Sequence, residues 1–337
     1  MDYSRKKLLF IVNPKSGRNN KSDIVGLIDH NVDSSKYDYR IVCTEYAGHA
    51  EMLAADAVCA GVDVVVAVGG DGTVNEVGRA LIHSSAAMGI IPCGSGNGLA
   101  RHLHIPLDVR RAIDTINRCE IKCIDYGKIN GRPFFCTCGV GFDALISSLF
   151  AASKERGPLN YVKNVIKSFA NYSSETYEIE TEDGSVSRKA FLVTCANAAQ
   201  YGNNAYIAPH AQLDDGLMDV TIIRPFNVMD AGAIAIDLFA KTLEKNNLIE
   251  TLSCRSLHIR RVQSGVAHYD GDPVTLNKDL YIEMIPKGIN VLVGREERHL
   301  QPSHVLQHIV ELFDVVRPID EKIRGYFRNH TKWPGVK

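Results

Sequence analysis

In the first 125 positions apolar residues come in short runs, at Leu8 to Val12, Tyr39 to Thr44, Asp63 to Val68 and Met88 to Pro92, each closed by polar or turn-forming residues. Runs of that length between such breaks predict buried strands. Between them the apolar spacing lengthens to three or four residues, as at Val74, Val77 and Leu81. This predicts helices near 20–30, 48–60 and 74–83, and two more near 97–104 and 108–118. Strands alternating with helices build a doubly wound parallel sheet.

After about Asp125 the pattern turns β-rich, with strands at 177–182, 188–196, 218–224, 256–262 and 280–293 and hairpin signals at Asn130-Gly131 and Asp183-Gly184. The fold class is therefore α/β plus all-β: an N-terminal doubly wound domain over residues 1–125, then an antiparallel β-sandwich domain over 126–298. Helical inserts are expected near 158–171 and 228–245. In the tail, Val305, Ile309, Leu312, Phe313 and Val316 share one helical face, and residues 299–337 are read as completing the first domain.

The length of 337 residues agrees with two domains, and 45% apolar with 23% charged residues is ordinary for a globular chain. A net charge of -1 gives no overall attraction to nucleic acid or to an anionic membrane, so no nucleic-acid partner is expected. The nine cysteines are scattered, and Cys136 and Cys138 lack the two-residue gap of zinc or redox pairs, which predicts reduced thiols in a cytoplasmic protein. MDYSRKK runs straight into LLFIV, too short for a signal peptide's apolar stretch. No run approaches the ~20 apolar residues of a membrane span. Membrane contact is expected to be peripheral.

Three predicted strand ends carry loops of one kind: Asn13-Pro14-Lys15-Ser16-Gly17, Gly69-Gly70-Asp71-Gly72-Thr73 and Gly94-Ser95-Gly96-Asn97-Gly98. In an open α/β sheet such loops face one crevice. Glycine lets backbone N–H groups approach phosphate oxygens, and a helix start behind the loop adds positive potential. A nucleotide polyphosphate suits this arrangement. The dinucleotide spacing G-x-G-x-x-G is excluded, since Asn75 and Leu99 stand where its last glycine belongs, and no G-x-x-x-x-G-K-[ST] is present. A helix end gives an anion only ~0.3–1 kcal/mol, against the ~8 kcal/mol or more of a typical enzymatic acceleration. A cation and a proton acceptor must therefore come from elsewhere. Asp214-Asp215-Gly216-Leu217-Met218-Asp219 and Tyr269-Asp270-Gly271-Asp272-Pro273 supply carboxylates. Taken alone, such stretches are more often solvated hairpin turns.

NPKSG, VGGDGTVNEV, the stretch Ile91 to Ala100, the I-D-Y-G of Ile124 to Gly127, LDDGLMD and YDGD match, in this order, the motifs of the soluble diacylglycerol and sphingosine kinase family, including its bacterial lipid kinases. The resemblance covers about residues 8–294. It implies a first domain like those of phosphofructokinases and NAD kinases, ATP as phosphoryl donor, Mg²⁺ as cofactor and a lipid acceptor. It implies a nucleotide site on Asn13, Thr44, the loop Gly69, Gly70, Asp71, Gly72, Thr73 and Asn75, then Glu76, and Ser95, with Asp71 beside the phosphates and metal. It further implies a second Mg²⁺ site on Asp215 and the carbonyls of Gln212 and Leu217, steadied through water by Asp125. The family's general base is the glutamate of a D-G-E motif, and here Asp272 stands in that place. Aspartate is one methylene shorter, so it must approach the acceptor more closely or work through water.

The expected activity is transfer of a phosphoryl group from ATP to a hydroxyl of diacylglycerol or a related lipid. The G-S-G-N-G-L-A form of the third loop keeps a sphingoid-base kinase open, and the missing glutamate keeps a silent lipid-binding protein open. An NAD kinase is disfavoured by NPKSG and LDDGLMD. Phe142, Leu145, Leu149 and Phe150 line either an acyl cleft or a helix core, and an exposed β edge would let two chains pair. His102 and His104 receive no role.

Overall fold

The computed structural model describes residues 5–16, 21–152, 168–169 and 172–295. The expected helices at 158–171 and 303–330 lie almost wholly or wholly outside them. One compact unit spans 1–152 and 172–295, and a second comprises 153–171 and 296–337.

Four parallel strands open the chain: β1 (Lys6–Val12), β2 (Tyr37–Cys43), β3 (Val64–Gly69) and β4 (Ala87–Pro92). Their spatial order is β2-β1-β3-β4. Every side chain of VVVAVG in β3 and AMGIIP in β4 is buried, as a parallel sheet covered on both faces requires. The helices α1 (Lys21–Asn31), α2 (His49–Cys59), α3 (Asp71–Leu81), α4 (Gly98–His102) and α5 (Val109–Arg118) follow at the predicted places. Because α1 packs with α5 and α2 with α3, the two faces are wound separately. The winding reverses between β1 and β3, and a crevice opens at such a switch point.

The rest of the unit is antiparallel. β5 (Ile121–Ile129) and β6 (Arg132–Phe134) are joined by Asn130-Gly131 with φ of 45° and 80°, the two positive values a type I′ turn needs. Beyond them lie β7 (Thr137–Gly141), α6 (Phe142–Ala152), β8 (Glu175–Thr181), β9 (Gly184–Ala190), β10 (Leu192–Ala196) and β11 (Met218–Ile223). Then come α7 (Val228–Ala240), β12 (Ile249–Cys254), β13 (Ser256–Arg261), β14 (Gly265–Tyr269), β15 (Asp272–Leu276) and the 14-residue β16 (Asp279–Leu292). The run 188–196, read from the sequence as one strand, is two: β9 pairs with β8 in one sheet and β10 with β7 and β11 in the other. Apolar pattern alone does not reveal where a strand changes sheets.

β16 joins the two halves. One end pairs parallel with β4 through Asn290 and Val291, while most of its length pairs antiparallel with β5 and β13. The antiparallel part of this sheet faces the second sheet, ordered β12-β11-β10-β7-β14-β15. A shared core lies between them, with Tyr177, Ile259, Leu280 and Ile282 from one sheet and Val140, Val193, Val220 and Ile222 from the other. The predicted doubly wound domain followed by an antiparallel sandwich is therefore what the chain builds.

Candidate active site

α3 begins at Asp71, inside the second glycine loop and three residues before the predicted start. Its N-cap is Gly70 in an extended conformation, with no side chain closing the helix end. The first backbone N–H groups are thus left for another acceptor. The glycines around it have two different jobs. A Cβ on Gly69 would lie 2.5 Å from Thr73 Oγ1, one on Gly94 2.6 Å from Gly70 Cα, and one on Gly96 2.8 Å from Asp71 Oδ2. These positions serve the close packing of one loop on the next. A Cβ on Gly72 would meet nothing within 4 Å, so the protein's own packing does not demand glycine there.

Asp71 ties the second loop to the third. Its Oδ2 accepts the Asn97 N–H at 2.8 Å and its Oδ1 the Gly98 N–H at 2.7 Å, which closes the buried start of α4. Asn97 stands in the left-handed region at φ 53° and clasps Gly94 through both atoms of its amide, Oδ1 accepting at 3.0 Å and Nδ2 donating at 2.8 Å. Ser95 is exposed at the tip of that loop. Asn13 bridges the first loop to α3, its Nδ2 donating to Thr73 Oγ1 at 3.0 Å and its Oδ1 accepting the Lys15 N–H at 2.9 Å. Gly17 lies outside the described residues.

Thr44, at the end of β2, is buried and bonds through its N–H to Val12. Glu76 accepts the Gly48 N–H at 2.9 Å and the Ala50 N–H at 3.1 Å. Its carboxylate caps α2 and fastens the loop after Thr44 to α3.

Tyr269-Asp270-Gly271-Asp272 is a two-residue hairpin turn between β14 and β15, with φ of 47° at Asp270 and 85° at Gly271. The turn exposes Gly271 and Asp272 but turns the Asp270 carboxylate inward. Asp270 accepts the N–H groups of Phe135, Cys136 and Thr137 at 2.7–3.1 Å and the Asn75 Nδ2 at 2.6 Å. Burial pushes its carboxyl up, and these four donors pull it back. The pairing with Asn75 brings the β14–β15 hairpin to α3. Asp272, exposed at the start of β15, has a carboxyl held above its ordinary value, first by loss of surrounding water, then opposed by Arg79 and reinforced by Glu76. Arg79 itself pairs with Glu51 at 3.0 Å.

The other predicted carboxylates form a separate group. Asp125 is fully buried, its Oδ2 accepting the Gly216 N–H and its Oδ1 the Lys287 N–H, each at 2.6 Å. It therefore holds the LDDGLMD turn directly. Asp215 is exposed and spends one oxygen on the Leu217 N–H at 2.9 Å. Gln212 is exposed on the same turn. Among the described residues no group of three or more His, Cys, Asp or Glu side chains could hold a metal ion. One exposed carboxylate beside backbone carbonyls nevertheless fits a hard cation that keeps several waters. Asn197 connects the two groups, its Nδ2 donating to the Asp125 carbonyl at 3.0 Å and the Phe135 carbonyl at 2.9 Å.

Four polar side chains escaped the sequence reading. Asp143, second in α6, accepts through Oδ2 from Thr194 Oγ1 at 2.7 Å, His268 Nε2 at 3.0 Å and Tyr201 Oη at 3.2 Å. Burial and the Asp143 charge push the Tyr201 hydroxyl well above its ordinary value, so it stays protonated and donates. His102, given no role from sequence, accepts the Ala199 N–H through Nδ1 at 2.9 Å, and burial lowers it to about 4. The only sequence signal for His268 was its place beside Y-D-G-D.

The diacylglycerol kinase catalytic domain model matches residues 7–129, and the YegS C-terminal NAD kinase β-sandwich-like domain model matches 136–293. The diacylglycerol kinase of Bacillus subtilis (strain 168) is 31% identical over 233 residues, covering 67% of this chain and 76% of the relative. That of Staphylococcus saprophyticus is 29% identical over 235 residues, covering 68% and 77%. A Pectobacterium atrosepticum protein described as a probable lipid kinase, YegS-like, is 27% identical over 290 residues, covering 84% of this chain and 94% of the relative. In fold, a Bacillus anthracis crystal structure described as a diacylglycerol kinase matches with a TM-score of 0.68 at 22% identity, covering 86% of this chain and 97% of its own.

Proposed function

Because the chain belongs to the diacylglycerol kinase family, we propose that it transfers the γ-phosphoryl group of ATP to a hydroxyl of diacylglycerol or a related lipid, with Mg²⁺ as cofactor. The observation that carries this reading is the 2.6 Å bond from Asn75 to Asp270. It draws the open start of α3 and the hairpin bearing Asp272 to one region, so a phosphate-binding element and a carboxylate base can share a cleft.

In this reading the N–H groups of Asp71, Gly72 and Thr73 bind phosphate oxygens, helped by the positive end of α3. Gly72 leaves room for them. Asp71 works through the third loop, holding Asn97 and Gly98 in place. Asp272 takes the proton from the acceptor hydroxyl, a contribution of about 10²- to 10⁴-fold. A carboxylate with a raised affinity for protons is the stronger base once ionised. Asp215 and the carbonyls of Gln212 and Leu217 would hold a second Mg²⁺ with its waters, and Asp125 orders that turn. A Mg²⁺ bound with the nucleotide would supply charge neutralisation on the phosphates, the main demand of phosphoryl transfer.

Among the described residues no helix is long and apolar enough to cross a membrane. A lipid acceptor would be met by peripheral contact with a membrane surface. A sphingoid base remains the rival acceptor. Incubation of the purified protein with labelled ATP and Mg²⁺ and with diacylglycerol, monoacylglycerol, sphingosine and ceramide in turn tests the reading. Label in phosphorylated diacylglycerol is expected. Label only in the sphingoid product changes the acceptor, and nucleotide or lipid binding with no labelled product rejects the kinase.

A further inference from the structure

Tyr46 and His49 form a stack on the loop that follows β2. Their ring centroids are 4.5 Å apart and their planes differ by 3°. Tyr46 is 52% exposed. With one face covered by His49, the exposure falls on the opposite face and the edge.

Both rings are held. His49 Nδ1 accepts the Glu45 N–H at 3.1 Å, which leaves Nε2 as the protonated nitrogen of the neutral imidazole. The Tyr46 hydroxyl lies 3.4 Å from Met52 Sδ. On either side of His49, the N–H groups of Gly48 and Ala50 are fixed by Glu76 on α3. The helix whose open start faces the crevice thus also anchors the aromatic pair.

β1 lies between β2 and β3, so the ends of β2 and β3 are two strand spacings apart, roughly 10 Å, and the loop that leaves β2 with the aromatic pair is tied to α3 by Glu76. A rigid, half-exposed aromatic face fastened to the helix whose start is open to phosphate suits a base platform, because every base presents a π-face to stack.

We propose that the Tyr46–His49 stack is the shelf for the purine base of the phosphoryl donor, with Tyr46 giving its open face and His49 Nε2–H a hydrogen-bond donor at the edge. The proposal rests on ATP as the donor and adds the residues that grip its base. It gives Glu76 a task as well: the carboxylate touches no ligand but keeps shelf and phosphate subsite in register, a positioning residue.

Titration calorimetry on the full chain with Mg²⁺, using ATP, CTP and inorganic tripolyphosphate as separate probes, tests it. Tyr46→Ala is expected to weaken ATP about tenfold, the scale of one lost stacking contact, and to leave tripolyphosphate unchanged. Tyr46→Phe should keep ATP binding. CTP, with its smaller ring, should bind the native chain more weakly than ATP and lose less on Tyr46→Ala. The shelf is rejected if Tyr46→Ala leaves ATP binding intact, or weakens ATP and tripolyphosphate by the same factor. A native chain that binds tripolyphosphate but not ATP also rejects the shelf. One that binds neither removes the nucleotide reading beneath it.

Discussion

The amide of Asn75 and the carboxylate of Asp270, 195 positions apart in the chain, meet at 2.6 Å, and the same carboxylate collects the backbone N–H groups of Phe135, Cys136 and Thr137. One turn residue therefore stitches the hairpin to α3 and to the segment between β6 and β7. Asp270→Ala would strand several buried donors, each at about 1–3 kcal/mol. A loss of about 3 kcal/mol or more in urea unfolding is expected, with phosphoryl transfer lost alongside. An unchanged unfolding midpoint would show that the bond is incidental.

Gly72 and Gly94 should respond to alanine in opposite ways. At Gly94 the new methyl meets the Gly70 backbone at 2.6 Å, and thermal unfolding should fall by several degrees. At Gly72 the methyl has open space and removes a helix glycine, worth about 0.5–1 kcal/mol in favour of folding. Gly72→Ala should therefore melt no lower than the native protein, yet bind ATP more weakly because the methyl occupies the approach to the helix start. Equal affinity for ATP in Gly72→Ala would refute the phosphate role of that position.

A base must be ionised to accept a proton, so turnover should fall as pH drops through the Asp272 pKa. That acid limb should lie above the ordinary carboxylate range, because desolvation raises the group. Arg79 lowers it, and Arg79→Met should move the limb to higher pH. Asp272→Asn should reduce kcat by about 10²- to 10⁴-fold with little change in ATP affinity. A pH profile of kcat/KM that is identical in Arg79→Met would separate Asp272 from the titrating group.

Asp215 is exposed and makes one local bond, so Asp215→Ala should cost no more than about 0.5 kcal/mol without metal. In the native chain, added Mg²⁺ should raise the melting temperature, and in Asp215→Ala that gain should vanish. The same Mg²⁺-dependent gain in both would place the cation elsewhere.

Much of this was legible in the residues themselves. The runs at 64–69 and 87–92 gave buried strands because a parallel sheet covered on both faces tolerates only apolar side chains. Asn130-Gly131 gave a tight hairpin because both residues accept positive φ. The break at Phe191 was not legible, since both segments carry strand-like residues and differ only in their partners. Asp71, Glu76 and Asp270 were visible as acidic residues in suggestive places, but their roles as holders of backbone N–H groups were not. The partners of Glu76 lie 26 and 28 positions away, and no local spacing encodes them. Asp143, Thr194, Tyr201 and His268 were missed for the same reason, as two strands, a helix start and a loop supply one side chain each.

The sequence by itself determined the alternation of strands and helices, the places where glycine and aspartate must interrupt them, and the ordered motifs that mark the family. These are local properties, set by side-chain size, β-branching and allowed φ. Tertiary structure decided which glycines face backbone and which face open space, which carboxylates are occupied by N–H groups, and that Asp272 lies within the electrostatic reach of Arg79 and Glu76. Those outcomes depend on strand register and on the reach of side chains between elements, and burial then sets the strength of each contact by removing the water that would otherwise compete for it.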